Sequence, residues 1–301
     1  MIAATTSDIL PLIFDAHTHL HLDREGEGVS AANEVMSQVG GAALMSTGDG
    51  DWEEVQTLSA RSPRARALFG IHPWFAHRAH IQGDWMSQLR ETLISSPGSA
   101  VGEIGLDRQW RTPDTGAVEY QAQRDVFQRQ LSLAAELQLP VSLHCVRAQG
   151  DLYRALCEAP QLPPTIYLHA FGGARGTVEQ LVRSRRFGDR IYFGFATCIN
   201  LKSPKTREVI DAVPPDRLVV ESDRSSAARN DIKAELSEML RLYAEIKLWS
   251  SVEEAARRTA ENARRLYEPA DIADVHLKRL VSTQRSELVS TQRSEEVRRD
   301  V

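Results

Sequence analysis

The sequence predicts an α/β protein, a closed (β/α)8 barrel of the TIM type with additional C-terminal helices. Three observations predict it. Short apolar runs alternate with helical segments along the 301 residues, which implies parallel strands joined by crossover helices. There are eight such runs in about 260 residues, the size of one such barrel. The Gly-x-Gly-x-x-Gly turn that follows the first strand of an open dinucleotide-binding sheet is absent.

The first strand reads as residues 9–14, leading into Asp15-Ala16-His17-Thr18-His19. Side chains alternate along a strand, so His17 and His19 share a face. His21 keeps that alternation but reads as a loop residue. Helix 31–39 stops at Gly40-Gly41, and the second strand is 42–46. Helix 52–60 precedes the third strand, 67–71, which ends in His72-Pro73-Trp74. Helix 84–95 closes at Pro97-Gly98. The fourth strand, 100–102, runs into Glu103-Ile104-Gly105-Leu106-Asp107. A long amphipathic helix covers 117–138, with Val126, Leu131, Ala134 and Leu137 on its apolar side. The fifth strand, 141–143, ends at His144; helix 150–158 leads to the sixth, 165–168, ending at His169. Helix 175–186, the seventh strand 191–195, helix 204–212 and the eighth strand Leu218–Glu221, ending at Asp223, follow. Helices 231–247 and 251–267 complete a domain of residues 1–269. In the tail, 270–301, the octapeptide Leu280 to Glu287 recurs without change at 288–295, which reads as a marginal helix or a disordered segment.

Composition narrows the function classes. A net charge of −5 provides no global basic field for non-specific nucleic-acid binding. Cys145, Cys157 and Cys198 lie far apart, in no disulfide or zinc-finger spacing. No signal peptide and no stretch of about 18 apolar residues is visible, so the expected location is cytoplasm and/or nucleus, with no membrane partner.

The chemistry lies at the strand exits. His17, His19, Glu103, His144, His169 and Asp223 each follow or end an apolar run. The C-terminal ends of all strands in a barrel share one rim, where active sites form. Taken singly each residue has an ordinary structural role; the set, in strand order, points to a site for two divalent ions. His17 and His19 would hold one ion, His144 and His169 the other, with Glu103 bridging. Asp223 would complete the coordination of the first ion or accept a proton from the bound water, which makes Asp223 and Glu103 the candidate catalytic residues. Two such ions activate a water and stabilise both oxygens of a displacement. This mixed donor set accepts Mg²⁺, Mn²⁺ or Zn²⁺.

The motifs resemble the TatD family of metal-dependent hydrolases. They are Asp15-Ala16-His17-Thr18-His19, Gly70-Ile71-His72-Pro73, Gly102-Glu103-Ile104-Gly105-Leu106-Asp107, Pro140-Val141-Ser142-Leu143-His144, His169-Ala170-Phe171-Gly172-Gly173, Glu221-Ser222-Asp223 and Glu261-Asn262-Ala263-Arg264-Arg265-Leu266-Tyr267. The resemblance implies a TIM-type barrel, a two-metal site on the same six ligands, and hydrolysis, often as a Mg²⁺-dependent DNase. Three departures fall in substrate-facing loops: Arg224-Ser225 after Asp223, Arg147 one place late, and Ala170-Phe171-Gly172 after His169.

The expected function is therefore a metal-dependent deoxyribonuclease or phosphodiesterase, 3′–5′ exonuclease-like, acting on DNA ends. One alternative is an amide or aminoacyl-ester hydrolase on the same dinuclear site. Another is a protein-binding scaffold that retains the metal site and meets its partner through the tail. Candidate substrate-binding residues are Arg147, Lys202 and Arg224, since a phosphodiester needs cationic partners, and His72, which lies at the third strand's exit and matches the family pattern. Asp107 reads either as a turn former or as the partner of a ligand histidine. Trp74 and Trp110 read either as packing residues or as stacking partners for bases.

Overall fold

The structure, a computed structural model, describes residues 9–23, 27–81, 83–227 and 231–268. The boundary expected at 269 and the repeated octapeptide lie outside the described residues. Eight strands form one parallel sheet in sequence order: β1 Phe14–Thr18, β2 Gly41–Met45, β3 Ala65–Phe69, β4 Ala100–Asp107, β5 Val141–Val146, β6 Ile166–Leu168, β7 Ile191–Ala196 and β8 Leu218–Glu221. The ring is drawn together where the ends of β8 and β1 meet. Asp223 N–H donates to the His17 carbonyl (3.0 Å) and His19 N–H to the Arg224 carbonyl (2.9 Å). At the same seam the Asp15 carboxylate accepts from Ser222 N–H (2.9 Å) and Ser222 Oγ (2.6 Å).

The helices are α1 Glu27–Gln38, α2 Trp52–Ala60, α3 Ala76–Ile81, α4 Trp85–Ser95, α5 Tyr120–Leu137, α6 Gln149–Glu158, α7 Arg175–Val182, α8 Thr197–Asn200, α9 Thr206–Ala212, α10 Ile232–Ile246 and α11 Val252–Tyr267. Several differ from expectation. Residues 10–12 form a 3-10 turn instead of the first strand, because Pro11 sits at its start and Ile13 N–H closes it on the Leu10 carbonyl (3.0 Å). The strand is thus the histidine motif itself, and His19 lies just beyond it, capping the turn Leu20–Leu22. β4 and β5 are longer than their apolar cores, since pairing continues to Asp107↔Val146. α3 and α8 are too short to show a helical period in sequence.

Alternate strand residues face two cores. The outer one, between sheet and helices, includes Leu44, Phe69, Leu143, Phe193 and Val220. The inner one, with Phe14, Met45, Leu68, Tyr167 and Val219, is completed by Ala263, Leu266 and Tyr267 of α11. That helix closes the end of the barrel where the strands begin. Tyr267 Oη donates to the Ala16 carbonyl (2.7 Å), and Thr165 Oγ1 donates to the Leu266 carbonyl (2.6 Å). Buried Asn262 donates through Nδ2 to the carbonyls of Pro215 and Leu218, both at 2.8 Å. Only the opposite end is left for chemistry.

Two buried glutamines on one face of α5 fix that opposite end. Gln130 accepts from Ile71 N–H (2.7 Å) and donates to the Ile71 carbonyl (3.1 Å), just before His72. Gln123, seven residues earlier and so two turns along the same face, does the same to Asp107 (2.7 and 3.0 Å). Asn262→Ala should lower unfolding stability by about 2 kcal/mol, because the buried Leu218 carbonyl and the Pro215 carbonyl lose their donor. Denaturant unfolding measures this; a loss below about 0.5 kcal/mol would show that those bonds do not hold the helix in place.

Candidate active site

Glu103 lies in the middle of β4 and is only 2% exposed. Its two oxygens face different histidines. Oε2 is 3.4 Å from His17 Nε2 and 3.2 Å from His19 Nε2. Oε1 is 2.6 Å from His169 Nε2, 2.8 Å from His144 Nδ1 and 3.3 Å from His72 Nε2. Asp223 Oδ1 lies on the first side, 3.7 Å from His17 Nε2 and 3.8 Å from His19 Nε2. All six residues expected as ligands therefore meet, although they come from five different strand exits. Gly105 permits part of this approach: its φ is +154°, and a Cβ there would run into the His144 carbonyl.

The outward nitrogens are also held. His19 Nδ1 donates to the Met45 carbonyl (2.8 Å), and His17 Nδ1 lies 3.3 Å from Ser142 Oγ. Both arrangements point Nε2 into the site. His144 is turned the other way, with Nδ1 inward and Nε2 3.3 Å from Asp107 Oδ2. Asp107 performs both roles that the sequence left open, since its Oδ1 also accepts from Gln109 N–H (2.7 Å) and Trp110 N–H (3.0 Å). His169 Nδ1 has Glu221 Oε1 at 4.0 Å. Glu221 is itself fixed by Ala170 N–H (2.6 Å) and by the Tyr167 hydroxyl, in space that Gly194 leaves free.

Burial opposes the charge on Glu103, but His169, His72 and His17 outweigh it and hold its carboxyl well below the usual range. Burial would lower His19 and His144; hydrogen bonds to Glu103 for the first, and to Asp107 and Glu103 for the second, push both up to about 9. His17 is lowered by burial and by the charge of His169. Burial brings His72 to about 4 and raises Asp223, which His169 partly offsets. Burial also raises Glu221 to about 8 and Asp15 to about 7.

Of the candidate substrate residues, only His72 is in this cluster. Its Nδ1 accepts from Trp74 N–H (3.2 Å), so its proton belongs on Nε2, facing Glu103 as a donor. A cavity of about 610 Å³ opens over the donors, and among the described residues no Lys or Arg lines it. Arg147 and Lys202 are exposed and lie off the cavity wall. Arg224 is paired with Glu235, Nε to Oε2 at 2.9 Å. Sequence reasoning did not single out Asp15, Ser142 or Glu221 as site residues. Their signal was position: Asp15 stands two residues before His17, Ser142 two before His144, and Glu221 two before Asp223.

A family model described as TatD related DNase matches residues 14–268. The chain belongs to this family. It is 30% identical over 251 residues to the 3′-5′ ssDNA/RNA exonuclease TatD of Erwinia amylovora, covering 76% of this chain and 90% of that protein. It is 26% identical over 320 residues to the Cut9-interacting protein scn1 of Schizosaccharomyces pombe, covering 79% and 93%. Among solved structures, the TatD homologue YJJV of Escherichia coli superposes with a TM-score of 0.68 at 24% identity, over 85% of this chain and 98% of that one. A TatD-family hydrolase of Entamoeba histolytica gives 0.70 at 15% identity, over 86% and 98%. The barrel is thus a TatD fold and the protein a TatD-type hydrolase. TatD enzymes are metal-dependent, and the donors fit that need. His17, Glu103 and His169, or His17, His19 and Asp223, or His72, Glu103 and His144, bring ligand atoms within 4.8 Å of one another.

The shifts set a pH dependence for metal-stripped protein. His19 and His144 have folded values of about 9 against 6.5, so their contribution is complete below pH 6.5 and is lost as pH rises through 9. Raised Asp15 and Glu221 act in the same direction, losing theirs as pH rises through about 7 and about 8. Thermal unfolding followed from pH 6.5 to 9 should show a falling Tm. Glu103→Gln, which removes the charge shared by both histidines, should flatten the slope; a Tm constant or rising over this window in the unmutated protein would contradict the assignment.

Proposed function

We propose that this protein is a two-metal phosphodiesterase that shortens single-stranded nucleic acid from the 3′ end. The observation that carries the reading is Glu103, with one oxygen toward His17 and His19 and the other toward His144 and His169. Such a carboxylate suits a bridge between two cations. Mg²⁺, Mn²⁺ or Zn²⁺ held there would lower the pKa of a water and neutralise charge on the phosphoryl oxygens. Asp223 lies beside His17 and His19 and borders the cavity, and burial raises its carboxyl. It is placed to take the proton of the attacking water. His72 donates to Glu103 and keeps that carboxylate oriented. The names of the relatives support a nucleic-acid substrate.

A second reading, a protein-binding subunit, is favoured by the S. pombe relative named for its interaction with Cut9. It would work through the tail from residue 270, and truncation there would abolish partner capture.

The deciding assay uses chelator-stripped protein and 5′-labelled single-stranded DNA, with Mg²⁺, Mn²⁺ or Zn²⁺ restored in turn. Shortening from the 3′ end should appear only with metal, and His144→Ala should be inactive. Asp223→Asn should lower kcat by about 10²–10⁴-fold, the usual contribution of a positioned base. No cleavage with any ion, from protein shown to bind one, would move the substrate to an amide or aminoacyl ester.

A further inference from the structure

The cavity wall beside the donor set is aromatic rather than cationic. Trp74 follows the exit of β3 and is 40% exposed; Trp110 follows the exit of β4. Their rings are 11° from parallel with centroids 6.0 Å apart, and both line the cavity with Ile199, which is 48% exposed. Trp52 and Trp85, by contrast, are buried core residues. An exposed indole in a cleft is not explained by packing. The nearby cation Arg108 faces elsewhere, donating to Asp151 (3.1 Å) and lying over the Tyr120 ring at 4.1 Å.

One carboxylate holds the Trp74 indole and the Trp110 main chain. Trp74 Nε1 donates to Asp107 Oδ2 (2.9 Å), and the Trp110 backbone N–H donates to Oδ1 of the same group (3.0 Å). That carboxylate also faces His144 Nε2 at 3.3 Å. One acid thus ties the aromatic wall to a candidate metal ligand. The Trp74 ring lies 6.3 Å from the His144 ring, within the reach of one nucleotide.

We propose that Trp74 and Trp110 form a shelf on which the terminal base of a single strand stacks, so that the substrate is gripped by its last base rather than along its phosphates. This rests on the phosphodiesterase reading above. Every base has a π-face, so the shelf tolerates any sequence. It selects unpaired ends, because a paired base is already stacked in its duplex. With no Lys or Arg among the described residues that line the cavity, substrate binding should depend only weakly on salt.

The test uses full-length, metal-loaded protein and two 5′-labelled single strands that differ only at the 3′-terminal residue, one carrying a base and one abasic. The unmutated protein should remove the base-bearing residue with about tenfold higher kcat/KM, the scale of one stacking contact. Trp110→Ala should erase that preference by raising KM for the base-bearing end alone. Trp74→Phe keeps a ring, loses the bond to Asp107, and should retain the preference. As a second readout, a short single strand should quench the tryptophan fluorescence of metal-stripped protein, and Trp110→Ala should lose that quenching. An active unmutated protein whose preference survives Trp110→Ala overturns the shelf alone. An unmutated protein inert on both strands with every ion overturns the phosphodiesterase reading and the shelf together.

Discussion

A carboxylate buried without partners would be too costly to keep ionised. Glu103 is kept ionised because five histidines surround it: His17, His19, His72, His144 and His169. They arrive from four separate strand exits, so the charge is satisfied only when those strands are side by side in the right register. The site is therefore also a constraint on the fold. Removing the acid would leave the histidine cluster to repel itself; removing one histidine would leave the acid short of a partner. A divalent ion bound here would displace the protons of these histidines and take over the pairing of the acid.

The scaffold around this charge relies on side chains that hold backbone. Gln123 and Gln130 each grip both backbone polar groups of one residue at a strand exit, Asp107 and Ile71. Asp15 grips Ser222 across the β1–β8 seam. Each of these bonds lies within one to four residues of a donor in the site. The strand exits thus become rigid supports, and the histidines inherit their aim from backbone that cannot slide.

The eight strands and most helices were legible in sequence because apolar runs and helical periods report burial directly. The candidate metal donors were legible because each stood at the end of such a run. The first strand was displaced by Pro11, whose effect on 10–12 overrode the apolar pattern. Residues such as Gln123, Gln130, Ser142 and Glu221 were not legible as site residues. Their importance comes from partners 16 to 125 positions away in chain number, and amide, hydroxyl and acid side chains look ordinary until those partners are known. The basic candidates lie off the cavity wall for a related reason. Charge type in a loop does not reveal direction, and Arg224 turns toward Glu235. Trp74 shows the opposite case: the residue type suggested a base contact, and its place on the cavity wall keeps that reading open.

The closure by α11 has a consequence for the making of the chain. Tyr267 bonds to Ala16 across 251 positions, and Leu266 and Tyr267 join Phe14 and Leu68 in one apolar cluster. A ribosome that has released only the eight strands has exposed a barrel whose lower end is still open to water. Its earliest segment must wait for the last described helix before its apolar surface is covered. Such long-range pairing is slow and leaves sticky intermediates, so vectorial synthesis would make the nascent barrel a natural client for chaperones until α11 emerges.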